Sequence, residues 1–356
     1  MLRAVGLMSG TSLDGVDAAW LESDGARIVR TGRALTLPYD DALRADLRRL
    51  LDLAPTLAPD DVFLADVTAR LTAVHAEAVR ALGEPADIVG LHGQTILHRP
   101  AERRTWQIGD AAALARAVGL PVAWDFRSAD VAAGGEGAPF APIYHAALAE
   151  ALAKPLAVLN VGGVANVTWI GADGALLACD TGPGNGPLDD FVRQHTGAAF
   201  DRDGALALSG QADAAVLARR LAHPYFARSM PKSLDRLDFS AALAASGVAA
   251  LSAADGAATL VAFTAASVAL APLPGVPLRV LVCGGGRNNP ALMAALRARL
   301  TVPVDAVEAV GWDGDALEAQ CFAHLAVRVR RGLPLSFPGT TGVPAPTPGG
   351  RIAQPG

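Results

Sequence analysis

The stretch Gly6-Leu-Met-Ser-Gly-Thr-Ser-Leu-Asp-Gly-Val-Asp17 places a polar turn with glycines between two short apolar runs. The pattern predicts a strand over Leu2–Met8, a tight turn over Ser9–Asp14 and a second strand over Val16–Leu21, which together form a β-hairpin. A Walker A site needs G-x-x-x-x-G-K-[ST], and no lysine lies near this turn. The hairpin therefore excludes the commonest nucleotide site, in which a strand, a glycine loop and a helix follow one another.

The order of elements around this hairpin begins again at mid-chain. The first copy predicts, after the hairpin, a strand over Thr31–Pro38, helices over Asp40–Leu53 and Pro59–Leu82, and a buried strand over Asp87–Leu91 that enters a polar turn at His92–Thr95. The second copy predicts strands over Leu156–Val161, Val167–Ile170, Ala175–Cys179 and Leu278–Cys283, with turns at Gly162-Gly163 and Gly171–Gly174 and a helix over Pro290–Leu300. We therefore expect two copies of one α/β unit.

The length of the chain favours two lobes with a cleft between them. The 356 residues are 51% hydrophobic and 18% charged, enough for two ordinary cores. The most broken stretch before the second copy lies between Gly134 and Lys154, so we expect an N-terminal lobe over residues 1–140 and a C-terminal lobe over residues 141–356. A helix over Tyr144–Ala153 would bridge them. The Pro- and Gly-rich stretch Phe337–Gly350 predicts an irregular tail.

The charge balance favours a small-molecule substrate. A formal net charge of -5 gives no general attraction to nucleic acid or to acidic membranes, so we expect neither as a partner. No signal-peptide pattern and no run of about 18 to 20 strongly apolar residues is present, which predicts a cytosolic protein. Cys179, Cys283 and Cys321 are widely spaced, which predicts buried thiols rather than a disulfide or zinc framework. The oligomeric state stays open, a homodimer included.

Six motifs together make the match to a known family specific. They are Met8-Ser-Gly-Thr-Ser-Leu-Asp-Gly-Val-Asp17, Gly90-Leu-His-Gly-Gln-Thr95, Trp124-Asp-Phe-Arg127, Asn160-Val-Gly-Gly163, Asp180-Thr-Gly-Pro-Gly-Asn185 and Cys283-Gly-Gly-Gly286. In this combination, and over nearly the whole chain, the sequence resembles the anhydro-N-acetylmuramic acid kinase family.

The resemblance implies both a fold and a reaction. The fold is that of the sugar kinases, actin and Hsp70-type ATPases, in which each lobe holds a ribonuclease-H-like mixed sheet with flanking helices. This agrees with the repeat described above. The reaction is the ATP-dependent opening of 1,6-anhydro-N-acetylmuramic acid by water with phosphorylation at O6. Its products are N-acetylmuramic acid 6-phosphate and ADP, formed during recycling of the bacterial cell wall.

The first hairpin turn has the chemistry of a phosphate site. Backbone N–H groups and the hydroxyls of Thr11 and Ser12 can donate to phosphate oxygens, while Asp14 can hold Mg²⁺ directly or through water. The alternative is an ordinary hairpin turn. With the resemblance, ATP and Mg²⁺ are expected, and the expected nucleotide-binding residues are Gly10, Thr11, Ser12, Leu13, Asp14, Gly15, Val16, Asp17, Gly162, Gly163, Asn166, Gly184, Asn185, Gly284, Gly285, Gly286 and Asn288. The two hairpins would grip the triphosphate from opposite lobes, and the last glycine turn would approach adenine or ribose.

Asp180 is expected to end a strand and enter a turn, from which a general base can project at a fixed angle. The resemblance implies that this aspartate is the catalytic base that activates water for attack on the anomeric carbon. The alternative is an Asx-type cap of the turn. Phosphoryl transfer requires mostly positioning and charge neutralisation, so one base, Mg²⁺ and amide donors suffice.

The sugar is expected to contact His92, Gln94, Thr95, Arg127, Asp180 and Glu318. Neutral polar groups after a buried strand suit sugar hydroxyls and an N-acetyl group, and the Arg127 guanidinium matches the lactyl carboxylate of muramic acid. Alternatives remain open for three of these residues. His92 fits a core histidine, Arg127 a structural salt bridge with Asp125 or Asp130, and Glu318 a solvated glutamate on a helix.

Two other functions are compatible with these motifs. One is a non-catalytic, nucleotide-gated binding protein of the actin or Hsp70 kind, which would not need a base such as Asp180 or a sugar-sized set of polar groups. The other is a kinase for another amino sugar or for a plain hexose, which only the family resemblance sets aside.

Overall fold

The computed structural model describes residues 1–10, 13–234 and 246–356. Its strands, in chain order, are β1 Leu2–Ser9, β2 Gly15–Ser23, β3 Ile28–Pro38, β4 Ile88–Arg99, β5 Arg104–Ile108, β6 Val122–Trp124, β7 Leu156–Val161, β8 Val164–Ile170, β9 Leu176–Pro183, β10 Val280–Cys283, β11 Val304–Ala306, β12 Pro334–Ser336, β13 Thr347–Pro348 and β14 Arg351–Ala353. Its helices are α1 Asp41–Leu53, α2 Val62–Leu82, α3 Ala111–Val118, α4 Ser128–Ala132, α5 Ala141–Leu148, α6 Gly186–Thr196, α7 Ala205–Leu208, α8 Ala214–Leu221, α9 Ala253–Ala269, α10 Pro290–Arg299, α11 Leu317–Arg330 and α12 Pro338–Thr341.

The chain forms two compact units, and unit 1 comprises residues 1–150 together with 316–356. Its mixed sheet has the order β14-β6-β4-β1-β2-β3, and β5 pairs with the outer half of β4. The first three strands form an antiparallel meander, while β4 lies parallel to β1 and β6 parallel to β4. The core of this unit lies between the sheet and the helices α1, α2 and α3.

Unit 2 comprises residues 151–315 and repeats the topology of unit 1. Its sheet has the order β11-β10-β7-β8-β9, with an antiparallel meander over β7, β8 and β9 and with β10 and β11 parallel to β7. With β5 and the edge strand β14 of unit 1 left aside, the strands of both sheets follow the order 3-2-1-4-5 when they are numbered within each unit. The predicted duplication of one α/β unit is therefore confirmed.

Helix α11 belongs to unit 1 because two glycines allow it to lie directly on the sheet. A Cβ atom on Gly6 of β1 would overlap the carbonyl oxygen of Ala319, and one on Gly90 of β4 would overlap that of Phe322. Such close approach of two backbones is open only to glycine. Residues 316–356 are therefore grouped with the N-terminal unit, whereas the sequence predicted an uninterrupted C-terminal lobe from residue 141.

The C-terminal segment is more regular than the tail expected from its proline and glycine content. It contains α12 and the β12–β13 pair, and β14 adds an antiparallel edge strand to β6. The helix predicted to bridge the lobes over Tyr144–Ala153 is instead α5, Ala141–Leu148, in which Tyr144 is fully buried and donates to Gln320 Oε1 of α11 at 2.6 Å. Among the described residues, no helix is long and apolar enough to cross a membrane.

Candidate active site

The N-terminal turn lies between β1 and β2. Thr11 and Ser12 lie outside the described residues, and the turn continues at Leu13, which has a φ of 58° and a buried side chain. Two contacts hold the main chain: Arg44 Nε donates to the Leu13 carbonyl at 3.1 Å, and the Tyr39 N–H donates to the Asp14 carbonyl at 3.0 Å. The Asp14 side chain is exposed. The turn therefore presents a carboxylate to solvent on a fixed backbone.

The remaining residues of this motif are Gly15, Val16 and Asp17. They lie in β2, where they stabilise the hairpin. Gly15 passes so close to the carbonyl of Leu37 that a Cβ atom would overlap it, and Val16 lies in the core. Asp17 accepts a hydrogen bond from the hydroxyl of Thr36, its cross-strand neighbour, at 2.6 Å. Gly15 and Val16 can therefore contact a nucleotide only through their backbone.

His92, Gly93, Gln94 and Thr95 do not form the turn predicted for them. They continue β4 through a bulge at which Gly93 has a φ of 72°, and β4 then pairs with β5 as a hairpin. Gly93 lies against the carbonyl of Ile108, which leaves no room for a side chain. The bulge re-aims the neighbouring side chains while the strand continues.

Gln94 and Thr95 take different positions along this strand. Gln94 is fully buried, and its Oε1 accepts from Ser9 Oγ at 2.6 Å. Ser9 Oγ also forms a short hydrogen bond with the hydroxyl of Tyr39, so the three polar groups form one buried network. Thr95 is half-buried, and its hydroxyl accepts from Gln107 Nε2 at 3.2 Å. Gln94 thus braces the base of the hairpin, whereas Thr95 keeps some exposed surface.

His92 and Arg127 are joined by two hydrogen bonds. Nε and Nη2 of Arg127 lie 3.1 and 2.9 Å from Nε2 of His92, and Nη1 donates to the Gly137 carbonyl at 2.6 Å. Nδ1 of His92 lies 2.8 Å from the carbonyl of Gly93, which can only accept. Nδ1 therefore carries the proton, and Nε2 accepts from the guanidinium.

Burial sets the charge states of this pair. It lowers the pKa of His92 well below the usual histidine value, and the positive charge of Arg127 lowers it further. Burial also lowers the pKa of Arg127 to about 10, while the charge of Glu318 is among the groups that oppose this shift. At neutral pH His92 is neutral and Arg127 is charged. Glu318 is exposed in the first turn of α11, and its charge acts on Arg127, so unit 1 brings these three expected residues into one neighbourhood.

Arg127 does not form either of the structural salt bridges considered as alternatives. Within the part of the chain that the structure describes, Asp125 pairs with Arg351 at 3.2 Å. Asp130 accepts from the Gly137 N–H at 2.6 Å and from the hydroxyl of Thr341 at 2.5 Å. Of the five N–H donors of Arg127, three are used by His92 and Gly137. One donor remains on each Nη atom, a pair that a carboxylate can accept.

In unit 2, Asp180 lies within a strand rather than in the predicted turn, because β9 continues to Pro183. It stands opposite Asn166 of β8, next to a register shift between Ala165 and Asn166. The Leu234 N–H donates to Asp180 Oδ2 at 2.8 Å. Strand pairing therefore places Asp180 beside Asn166, and the Leu234 N–H holds its carboxylate.

The glycine turns of unit 2 meet at one edge of its sheet. The N–H groups of Gly184 and Asn185 donate to the carbonyls of Gly163 and Gly162 at 3.0 and 2.7 Å. Gly284 follows β10 and packs so closely on Asn160 and Val161 that a Cβ atom would overlap both. Two parallel strands, β7 and β10, end here, which is where ligands bind in open α/β sheets.

The glycine turn that follows β10, residues 284–288, is anchored by the ion pairs of Arg287. Gly285, Gly286 and Asn288 form a short 3₁₀ turn, and Asn288 is exposed at its end. Arg287 within this turn donates to Glu308 at 2.7 Å and pairs with Asp315 at 2.8 Å. Gly163 and Gly285 have no close neighbour at the position of a Cβ atom, so both border open space.

Five other residues at these sites were not singled out from the sequence. Ser9 and Tyr39 brace Gln94, and Tyr225 and Lys232 contact Asp180. Asp189 lies in the first turn of α6, and burial raises its pKa to about 6. Two of them could have been noticed in the sequence: Ser9 because it lies in the first motif, and Lys232 because it is one of two lysines in the chain. No three His, Cys, Asp or Glu side chains among the described residues form a metal cluster, and the three cysteines are buried thiols.

Comparison with known proteins identifies the family. The sequence profile of the anhydro-N-acetylmuramic acid kinase family matches residues 2–354. The chain belongs to this family. It is 67% identical over 355 residues to the anhydro-N-acetylmuramic acid kinase of Acidiphilium cryptum, covering 100% of this chain and 99% of that protein. It is 58% identical to the one of Rhodospirillum rubrum, with 98% and 93% covered.

Members of this family are phosphotransferases, and the chain is an enzyme of that class. The alternative of a non-catalytic binding protein is therefore wrong. Among solved structures, the chain is similar to a ROK family glucokinase from Streptomyces griseus in complex with glucose and AMPPNP. The TM-score is 0.40, the identity is 16%, and 93% of this chain and 100% of that chain are covered.

Proposed function

We propose that the enzyme opens 1,6-anhydro-N-acetylmuramic acid with water and phosphorylates its O6 with ATP, giving N-acetylmuramic acid 6-phosphate and ADP. The observation that carries the proposal is the match of residues 2–354 to the family. We place the reaction in the cytosol, in the recycling of cell-wall fragments. Neither a nucleic acid nor a membrane takes part in it.

Asp180 acts as the general base in this proposal. Its carboxylate takes a proton from water as the water oxygen bonds to the anomeric carbon. The bond between that carbon and O6 breaks, O6 bonds to the γ-phosphorus, and the bond from phosphorus to ADP breaks. The Leu234 amide on Oδ2 and the strand pairing of β9 hold the base in one orientation, which supports this role.

The nucleotide phosphates bind to the glycine turns and the N-terminal hairpin. Gly163, Gly285 and Gly286 offer backbone N–H groups near the ends of parallel strands, while Gly162, Gly184 and Asn185 use their own N–H groups to hold the turns in place. Asn166 lies one strand from Asp180. Asp14 fits a Mg²⁺ ligand because its carboxylate is exposed on a fixed turn, and Mg²⁺ usually takes one or two carboxylates plus phosphates and water. When bound, the ion neutralises the charge of the β- and γ-phosphates.

The sugar binds to unit 1 through neutral and charged groups of complementary chemistry. The two remaining donors of Arg127, one on each Nη atom, donate to the lactyl carboxylate, which accepts them as a bidentate partner. Thr95 and Glu318 offer acceptors to the sugar hydroxyls and to the N-acetyl N–H. His92 orients Arg127 from behind, and Gln94 fixes the strand on which Thr95 stands.

One assay tests the proposed reaction. The purified enzyme is incubated with ATP, Mg²⁺ and 1,6-anhydro-N-acetylmuramic acid, and the products are analysed by mass spectrometry. We expect a product heavier than the substrate by one phosphoryl group and one water. Glucose and N-acetylglucosamine serve as control acceptors. Equal or faster phosphorylation of either control, or a product without the added water, would contradict the proposal.

A further inference from the structure

Asp180 is held at three of its atoms by a segment that lies outside the sheet. Its main-chain N–H donates to the carbonyl of Lys232 at 3.0 Å, and its carbonyl accepts from the hydroxyl of Tyr225 at 2.6 Å. Its Oδ2 accepts from the N–H of Leu234 at 2.8 Å. Residues 225–234 therefore fix both the backbone and the carboxylate of the proposed base.

Lys232 brings a buried positive charge to this contact. Its side chain is 4% exposed. Nζ donates to the carbonyl of Tyr225 at 3.3 Å and lies 4.4 Å from the centre of the Tyr225 ring, in cation–π geometry. Among the described residues, Lys232 forms no ion pair within salt-bridge distance. A buried ammonium is expensive unless nearby negative charge compensates it, and the charge of Asp180 favours the protonated amine.

The choice of lysine at this position is itself informative. The sequence has 30 lysines and arginines together, and only Lys154 and Lys232 are lysines. An ammonium is a compact point charge with three donors, whereas a guanidinium is a planar fork with five. The chain uses arginine for all but two of its basic side chains, the buried Arg220 and Arg328 included, and has a lysine beside Asp180.

We propose that Lys232 is a positioning residue for Asp180, whose enclosed ammonium favours the ionised carboxylate while its carbonyl fixes the backbone of the base. The inference rests on the proposed function insofar as Asp180 is the base. The electrostatic part is reciprocal: the charge of Asp180 favours the protonated amine of Lys232, although burial lowers the pKa of that amine overall.

Arg228, Cys179 and Tyr225 are further charged or titratable groups near Lys232 and Asp180. The exposed Arg228 lies over the same Tyr225 ring, 5.7 Å from its centre, and its charge disfavours protonation of Lys232. Burial raises the pKa of Cys179 to about 12 and raises that of Tyr225, so both are neutral at physiological pH. Of the two described cations that lie over the Tyr225 ring, Lys232 is enclosed and Arg228 is screened by solvent.

The kinetic test compares Lys232→Met with Lys232→Arg and with Arg228→Met. Loss of a cation near a carboxylate favours the protonated acid by about one pK unit or more. We expect the acidic limb of the kcat/KM profile to move to higher pH by about that amount in Lys232→Met. Lys232→Arg should restore most of the shift, and Arg228→Met should leave the limb in place because its charge is screened by solvent. An unchanged limb in a folded Lys232→Met enzyme would overturn the inference.

A second test leaves Lys232 intact and needs no turnover. Lysine labelled with ¹³C at Cε gives signals from only two residues, and Lys154 is the internal reference. We expect the Lys232 signal to titrate at a pH about one unit lower in Asp180→Asn than in the native enzyme. Identical Lys232 titrations would overturn the inference. Failure of the sugar assay alone would instead contradict the proposed function, so the two failures can be told apart.

Discussion

Arg127 donates to Nε2 of His92 through both Nε and Nη2, at 3.1 and 2.9 Å. A histidine that accepts two such bonds must be neutral, and the Gly93 carbonyl on Nδ1 fixes the tautomer. The ring of Phe322 lies 4.4 Å from the imidazole and limits its rotation. His92 is therefore a rigid acceptor that points the remaining donors of the guanidinium in one direction.

Replacement of His92 by leucine should weaken sugar binding. It leaves two buried donors of Arg127 without the acceptor that orients them, and a loss of about 1 to 3 kcal/mol in sugar binding corresponds to a rise in sugar KM of roughly 5- to 150-fold. The KM for ATP should stay near its native value. His98→Leu is the matched control, because His98 is an exposed histidine on the same strand. Equal effects of the two substitutions on sugar KM would contradict the role of His92.

Arg127→Lys should affect the sugar much more than the nucleotide. An ammonium keeps the charge but cannot supply two parallel N–H donors to a carboxylate. We expect sugar KM to rise by roughly tenfold or more, with a smaller change in the KM for ATP. A sugar analogue without the lactyl carboxylate should show little difference between native and variant enzymes. If the KM for ATP rose while that for the sugar held, Arg127 would belong to the phosphate site.

The sequence predicts β1–β4 and β7–β10, but not the short strands β5, β6, β11 and β14 of the same two sheets, and not how far the predicted strands extend. Alternation and turn residues locate β1, β2, β7 and β8, whereas the glycines at 93 and 182 predict turns. In the structure, β4 passes through a bulge at Gly93 and β9 continues through Gly182. A glycine in a strand marks a close backbone approach as well as a turn, and the local sequence does not distinguish the two.

Contacts between distant segments were beyond the reach of local patterns. The sequence predicts that Glu318 lies on a helix, yet only the glycines of β1 and β4 show which sheet that helix covers. The same limit applies at the site. Asp180, His92 and Arg127 stand in motifs, whereas Lys232 contacts Asp180 from 52 residues away and had no local signal except its rarity.

Asp180→Asn should abolish most of the turnover while the fold and ATP binding persist. The asparagine oxygen can still accept from the Leu234 N–H, but it cannot take a proton from water. We expect kcat to fall by about 10² to 10⁴. Asp173→Asn in the exposed turn between β8 and β9 should leave kcat unchanged. Nearly native turnover in Asp180→Asn would assign the base to another residue.

Gly163→Ala should separate nucleotide binding from stability. A Cβ atom at this position would meet open space, so the free energy of unfolding should change by less than about 0.5 kcal/mol. If phosphates approach the backbone here, the added methyl group should raise the KM for ATP several-fold. Gly275→Ala is the control, since its Cβ would make only an ordinary contact with Trp169. An unchanged KM for ATP would remove Gly163 from the nucleotide site.

Ring opening and phosphoryl transfer should be coupled, and labelled water tests this. In the anhydro sugar O6 is an ether oxygen with no proton to remove, so it can attack phosphorus only as its bond to the anomeric carbon breaks. Asp180 can serve the water or a sugar hydroxyl, but not both at once. In ¹⁸O-water we therefore expect the label at the anomeric carbon of the product and none in its phosphate.

The coupling also predicts two reactions that should fail. Without ATP the enzyme should not release N-acetylmuramic acid, because O6 has no phosphorus to attack and the ring would close again. A plain hexose has no anhydro bridge and should be phosphorylated only slowly. Its O6 is a hydroxyl that must lose a proton, whereas O6 of the anhydro sugar is freed when its bond to the anomeric carbon breaks. Label in the phosphate, or N-acetylmuramic acid formed in the absence of ATP, would favour separate hydrolysis and kinase steps and would assign Asp180 to only one of them.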